Sequence, residues 1–317
     1  MRRVMSRVKN LVRRLIPFGV RRAFWRVRRS IPRVARPISA IAPNASPPEQ
    51  PILVLGCPRS GTSALLDLLL QSPGLGGVHN EGHILWDEFH HPRDRGWESD
   101  ALGRKDVSER ERAYIYRAIA MFASPDRFTD KTAENVLRIP YLQELFADAI
   151  FVFIRRRGAD TVNSLMEAWR ARPRFVKYRL PEPLEGLGEL SGDRWSFSLV
   201  PGWRELRHSP LEEVCARQYI ACNEAALAGR EGVDPGRWHE VSYEELFADP
   251  VPAAERLYEQ LGLPFDGRIR SYAEGFARNP SSTALTAPRP DKWREQNGPE
   301  IERILPLLEP VERRLGY

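Results

Sequence analysis

The sequence predicts an α/β protein, a P-loop-like three-layer αβα sandwich around a mostly parallel central sheet. Three observations predict it. Short apolar runs bounded by Pro or Gly alternate with longer segments of helical period, the pattern of strands joined by crossover helices. The first run, Ile52–Leu55, passes through a glycine-bounded loop, GCPRSGTS, straight into a helical segment. The chain has 317 residues, 42% hydrophobic and 28% charged, enough to cover both faces of such a sheet.

Residues 1–50 stand apart. They carry 13 Lys and Arg against one acid, Glu49, while residues 51–317 carry 35 against 41, so the net charge of +6 belongs to this arm. A mildly acidic body argues against a nucleic-acid-binding domain. Val4, Val8, Leu11 and Leu15 recur at helical spacing among the arginines as far as Pro17. Residues 1–36 read either as a solvated, partly disordered tail or as a segment that can make peripheral contact with an anionic membrane surface, for which a lone basic amphipathic stretch is a weak signal. The arm lacks the continuous apolar core of a secretory signal, although its Arg-rich, acid-poor start also resembles a transit peptide. No apolar run approaches the ~20 residues that cross a bilayer. Residues 41–51, IAPNASPPEQP, read as a Pro-rich linker. The expected organisation is therefore a basic arm and linker over 1–50 and one domain over 51–317. Three cysteines make no disulfide framework, their odd number fits a reducing compartment, and no Cys/His cluster has zinc spacing, so no metal is expected.

Within the domain the elements follow in order. Ile52–Leu55 reads as a buried strand and 64–70 as a helix. Residues 106–122 form a second helix, with Ser108 as cap and Glu111 three residues on. Residues 135–146 read as a helix carrying Pro140 near its start, 149–154 as a buried strand and 160–169 as the next helix. Residues 173–210, rich in Pro, Gly, Arg and aromatics without a clear period, read as an irregular insertion or lid on the acceptor side. Then come helix 211–228, strand 238–241, helix 251–261, and a closing helix over 299–315 with Pro299 in its first turn. Cys215 and Cys222, seven apart, read as small buried residues of one helix face.

The loop carries the chemistry. Gly56, Gly61, Thr62 and Ser63 almost complete the P-loop pattern G-x-x-x-x-G-K-[ST], but Thr62 stands where the lysine belongs and the cation sits earlier, at Arg59. Backbone N–H groups of Ser60, Gly61, Thr62 and Ser63, with the following helix N-terminus, make an anion site. Arg59 can fork onto phosphate or sulfate oxygens. Without the lysine, and with no evident strand aspartate for Mg²⁺, the loop suits an anion shorter than a triphosphate.

The segment LVLGCPRSGTSALLDLL resembles the 5′-phosphosulfate loop of sulfotransferases that use 3′-phosphoadenosine 5′-phosphosulfate (PAPS), and FIRRRGADTVNSL resembles their 3′-phosphate motif. The motif's spacing of Arg to Ser over eight residues selects Arg156 and Ser164, ahead of Arg155 and Arg157. VSYEELFADP is similar to a later family segment that brings Tyr243 near the nucleotide. SSTALTAPRPDKW is similar to a stretch of the tyrosylprotein sulfotransferases, which implies Ser282 and Lys292 on the nucleotide phosphates with Trp293 packed beside them. The resemblance runs from Ile52 to Tyr317, is closest to the bacterial and Golgi-type branch, and excludes both the arm and residues 173–210.

The family implies direct in-line transfer of a sulfuryl group from PAPS, with PAP as product, to an acceptor hydroxyl. That chemistry needs a cation near the bridging oxygen and a base near the acceptor. Arg59 is the first cation candidate. Lys131 is the second, because TDKTAEN resembles the family's DKTPEN segment. For the base, Glu81 is favoured, since a glutamate about twenty residues past the loop arginine serves in the tyrosylprotein branch; His79 and His83 flank it as alternatives. Cys57, inside the loop, has no evident base to activate it. A glycan or glycolipid acceptor is the expectation, with Trp195, Phe197 and Trp203 as sugar-stacking candidates; a phenol, a lipid alcohol, a peptide tyrosine or another small molecule remains open. Placement in the cytoplasm, at the membrane's inner face if the arm binds there, follows from the missing secretion signal and the cytosolic donor of bacteria. A P-loop kinase of a nucleotide or small metabolite and a non-catalytic membrane-surface module are the competing readings.

Overall fold

The computed structural model describes residues 45–77, 81–122, 127–276, 278, 281 and 283–317; the basic arm, His79 and Ser282 lie outside them. The unit Ala45–Tyr317 begins with β1 (Ile52–Leu55) and α1 (Thr62–Leu69). There follow β2 (Leu75–Gly76), α2 (His83–Trp86), α3 (Glu109–Phe122), β3 (Arg127–Asp130), α4 (Ile139–Leu145), β4 (Ile150–Arg155) and α5 (Gly158–Arg170). The chain continues through β5 (Val176–Leu184), β6 (Gly192–Ser196), α6 (Leu211–Glu231), β7 (Trp238–Ser242), α7 (Tyr243–Ala248), α8 (Pro250–Gln260), α9 (Gly267–Glu274), α10 (Trp293–Gln296) and α11 (Gly298–Arg314).

Five strands make one parallel sheet in the order β2–β3–β1–β4–β7. β1 is apolar at every position, and β4 at all but its last, Arg155, because both faces are covered there. On one face Ile52, Val54, Ile150, Val152 and Ile154 pack with Leu65 and Leu68 of α1, Leu257 and Tyr258 of α8, and Ile269 of α9. The alternate residues Leu53, Leu55, Phe151 and Phe153 are buried as well, on the opposite face. Ser108 and Glu111 exchange the two bonds of a capping box at the start of α3, at 3.3 and 3.4 Å, as the spacing predicts. No helix of the described residues is long and apolar enough to cross a membrane.

Two expectations need correction. The helix predicted over 135–146 is two pieces, a 3₁₀ turn at Ala133–Leu137 and then α4, whose first turn takes Pro140 because no intrahelical N–H is needed there. Residues 173–210 are not irregular: β5 and β6 pair as an antiparallel hairpin. Register shifts between Val176 and Tyr178 and between Arg179 and Leu184 mark bulges, which erase the alternation that reveals a strand in sequence. Trp195 and Trp203, read as sugar-stacking candidates, are 0% exposed and pack edge-on, Trp195 also against Trp169. They are the core of this lobe.

The hairpin is joined to the body by a buried carboxylate. Asp100 accepts from Arg138 Nη2 (3.0 Å), Tyr178 Oη (2.6 Å) and the Leu199 N–H (2.7 Å). Arg138 and Asp100 are both 0% exposed, so removing one leaves the other charge buried and unpaired. Asp100→Ala should therefore cost about 3–5 kcal/mol in urea unfolding, and Asp100→Leu combined with Arg138→Met should cost less than that single change.

Candidate active site at the carboxyl edge of the sheet

From β1 the chain crosses to β2 and β3 on one side, then jumps to β4 and β7 on the other, so the crevice beside β1 is a topological switch point, where open parallel sheets bind ligands. Every strand around it ends in a candidate residue. The phosphate loop follows β1, Lys131 follows β3, Arg156 follows β4 and Tyr243 follows β7.

The loop has the shape an anion needs. It turns through Arg59 (φ 73°) and Gly61 (φ 104°), closed by the Ser60 N–H on the Cys57 carbonyl at 3.0 Å. Gly61 is required twice over: its φ is left-handed, and a Cβ there would sit 2.4 Å from the Tyr243 ring. The N–H groups of Thr62 and Ser63 fall in the first turn of α1, where no helical acceptor exists for them. Ser60 Oγ and Arg156 Nε are buried without a hydrogen-bond partner. Two orphaned donors, one in the glycine-bounded loop and one just after β4, fit phosphate or sulfate groups at this edge.

Cations crowd this cradle. Arg59 donates from Nε to Ser164 Oγ (3.2 Å) and from Nη1 to the Thr283 carbonyl (2.9 Å), with its guanidinium over Phe175. Arg156 donates from Nη1 to the Arg59 carbonyl at 3.0 Å and lies 4.3 Å from the Tyr243 ring centre. Burial, then the like charges of Arg156 and Arg174, pulls the Arg59 guanidinium down to about 10. Burial and Arg156 likewise lower Lys292, whose ammonium holds Thr286 Oγ1. Arg155 and Arg157 turn away, over the Tyr317 ring. Trp293 is buried, beneath Arg294.

Glu81 lies at the same edge. The Gly82 N–H on Thr132 Oγ1 (2.8 Å) fixes its backbone against the residues that follow β3. Lys131 Nζ stands 2.5 Å from Glu81 Oε1, and His83 Nε2 2.7 Å from Oε2. Burial pushes the carboxyl up, but the His83 hydrogen bond and the Lys131 charge outweigh it and hold Glu81 well below the ordinary carboxylate range. His83 is opposed by burial and by Lys177, yet Glu134, Glu81 and Asp87 keep its proton on to higher pH than usual. His79 and Ser282, predicted for the base and the nucleotide phosphates, lie outside the described residues.

Sequence reasoning missed three groups. Asp130 ends β3 beside β1, where no strand aspartate was evident; it accepts from Trp86 Nε1 (3.1 Å) and Asn135 Nδ2 (2.9 Å), and burial raises it to about 6. Its strand, RFTD, has one large apolar residue and four positions, too little for a pattern. Phe175, stacked on Phe197 at 5.3 Å, and Lys177 come from the bulged hairpin.

Fold and cradle together define a class: a P-loop-like α/β protein with an anion cradle at its switch point. The chain belongs to the sulfotransferase family, whose sequence profile matches residues 51–267. Its fold is shared with the sulfotransferase STF9 of Mycobacterium avium, at a TM-score of 0.57 and 18% identity over 89% of this chain and 80% of that one. Among curated proteins it is similar to the omega-hydroxy-beta-dihydromenaquinone-9 sulfotransferase Stf3 of Mycobacterium bovis and of Mycobacterium tuberculosis, 34% identical over 64 residues. That match spans 20% of this chain and 16% of the relative.

The Glu81 ion pair has a pH signature. A carboxyl depressed in the folded state adds stability that is whole above its unfolded value, near 4.3, and drains away as pH falls below it. Wild type should exceed Glu81→Gln in urea-unfolding stability at pH 6, and the gap should narrow steadily as pH falls below about 4 without closing by pH 3; a gap independent of pH would contradict the pairing.

Proposed function

We propose that the chain is a sulfotransferase enzyme that moves a sulfuryl group from PAPS to an acceptor hydroxyl. One observation carries the reading: Arg59, Arg156 and Ser164, from two strand ends and the helix after the second, converge within hydrogen-bond distance at the cradle. When bound, PAPS supplies the sulfuryl group and leaves as PAP. Ser60, Gly61, Thr62 and Ser63 would hold the 5′ end, and Arg156 and Ser164 the 3′-phosphate, with Tyr243 and Trp293 packed alongside. Arg59 and Lys131 would stabilise charge on the leaving side.

Glu81 is the general base in this reading. Its pairing with Lys131 makes it a weak base at rest. An anion in the cradle competes for the Lys131 ammonium, and the carboxylate freed of that charge regains basicity and takes the acceptor's proton. His83 is the alternative base, but its Nε2 is already engaged by Glu81.

The acceptor reading shifts with Trp195 and Trp203 in the core. Phe175, beside Arg59 and stacked on Phe197, supports an alcohol borne on an apolar group, a lipid or small molecule, over a glycan. The mycobacterial relative is named as a sulfotransferase of a menaquinone derivative, which agrees with that class. A site on the cytoplasmic side, with residues 1–36 touching the membrane, suits such an acceptor.

Arg156→Ala should weaken PAP binding by about 1.5–3 kcal/mol in calorimetry, the scale of a charge-assisted hydrogen bond. Glu81→Gln should leave PAP affinity undiminished, or tighten it because Lys131 is freed, and cut transfer from ³⁵S-labelled PAPS to a panel of lipid and phenolic alcohols by about 10²–10⁴-fold. Wild-type turnover in Glu81→Gln would remove Glu81 from the base role.

A further inference from the structure

Behind Glu81 lies a shell of buried charge. Its centre is Lys177 of β5. The register shift between Val176 and Tyr178, which face Ser196 and Trp195, places Lys177 at a bulge. A bulge re-aims a side chain, and here both Lys177 and Tyr178 turn into the body. Lys177 Nζ lies 2.7 Å from Glu134 Oε1, 3.6 Å from Asp87 Oδ2 and 3.3 Å from His83 Nδ1. Glu134 is almost fully buried, with a side-chain exposure of 2%, and comes from the turn just after Lys131. His83 bridges this shell to Glu81, with Nδ1 facing Lys177 and Nε2 facing the carboxylate.

The contact restricts the imidazole. An ammonium can only donate, so a hydrogen bond from Lys177 requires the Nδ1 lone pair and leaves the single proton of neutral His83 on Nε2. That proton points at Glu81 Oε2, 2.7 Å away. With the proton on Nδ1 instead, Nε2 and the carboxylate would face each other as two acceptors. We propose that Lys177 is a positioning residue of the transfer reaction: delivered by the hairpin bulge, it holds neutral His83 as the Nε2–H tautomer and so fixes the orientation of the Glu81 carboxylate. The step from orientation to catalysis rests on the reading of Glu81 as base; the tautomer does not.

Other groups bear on the same imidazole and must be counted. Asp87 Oδ2 is 3.4 Å and Glu134 Oε2 3.6 Å from Nδ1, and both favour the imidazolium. Lys131 and Asp130 act on the Glu81 side. Arg138 and Asp100 act on Lys177 from the far side. Lys177 is the like charge against which the acids work, so its removal must raise the pH at which His83 gives up its proton, and removal of Glu134 must lower it.

The test is imidazole ¹⁵N NMR on the full chain, with the His83 signals assigned among six histidines by their loss in His83→Gln. At a pH where the ring is neutral, wild type should show Nε2 protonated and Nδ1 bare. Lys177→Met should raise the midpoint by about one pH unit or more, and should free Nδ1 for Asp87 and Glu134, which then compete with Glu81 at Nε2 for the single proton of the neutral ring. Lys177→Arg should keep the wild-type tautomer, since a guanidinium also donates. Should Lys177→Met fail to fold, Glu134→Gln carries the test, with a lowered midpoint and Nε2–H retained. A wild-type proton on Nδ1, or a midpoint and tautomer unmoved in Lys177→Met, overturns the proposal. PAP calorimetry on the same proteins separates the two claims. Wild type that fails to bind PAP sinks the donor reading while leaving the tautomer result standing, and variants that bind PAP as wild type does place the effect outside the donor site.

Discussion

The constraint on which the structure turns is the crowding of positive charge at one edge of the sheet. Arg59, Arg156, Arg174 and Lys292 lie close enough that their mutual repulsion, added to burial, lowers Arg59 and Lys292. A fold does not gather such charge at a switch point for stability, since each cation loses solvation there. The arrangement makes physical sense when an anion of several negative charges enters. The loop's orphaned hydroxyl, the N-terminal turn of α1 and the left-handed Gly61 under Tyr243 meet that anion with dipoles already aimed.

Asp160 and Glu167 offset part of that charge, but a larger acidic group lies elsewhere. Acids gather beyond β3 and under the hairpin: Glu81, Asp87, Glu134 and Asp100, with Lys131, Lys177 and Arg138 set among them. Lys131 stands on the boundary, held by Glu81 in this structure and within reach of the loop's own helix, where its charge acts on Asp67. In the function proposed above, an ammonium shared between the base and an incoming anion would couple donor binding to base strength without any movement of the backbone.

What was legible in the sequence is what depends on local pattern. The four apolar residues of β1, the P-loop spacing without its lysine, and the strand-end arginine eight residues before Ser164 are all read along the chain. The hairpin was not legible, because its bulges break the period-two alternation and its tryptophans face a core that only the fold creates. Lys177 was equally hidden: a lone lysine in an arginine-rich stretch reads as surface, and only the bulge turns it inward. Asp130 escaped because its short strand borrows its burial from β1 and β2, not from its own residues. The helix boundary at Pro140 was misplaced for a simpler reason, since proline marks a first turn as readily as a tolerated kink.

The account stands on the identity of the anion. Calorimetry of the wild-type chain with PAP, and with ATP plus Mg²⁺ in a matched titration, measures it directly. The account predicts PAP binding at micromolar affinity or better that is unchanged by EDTA, and ATP binding at least tenfold weaker with or without Mg²⁺. Preference for ATP that requires Mg²⁺ would contradict it and would turn Asp130, beside the loop at the end of β3, into the carboxylate of a kinase.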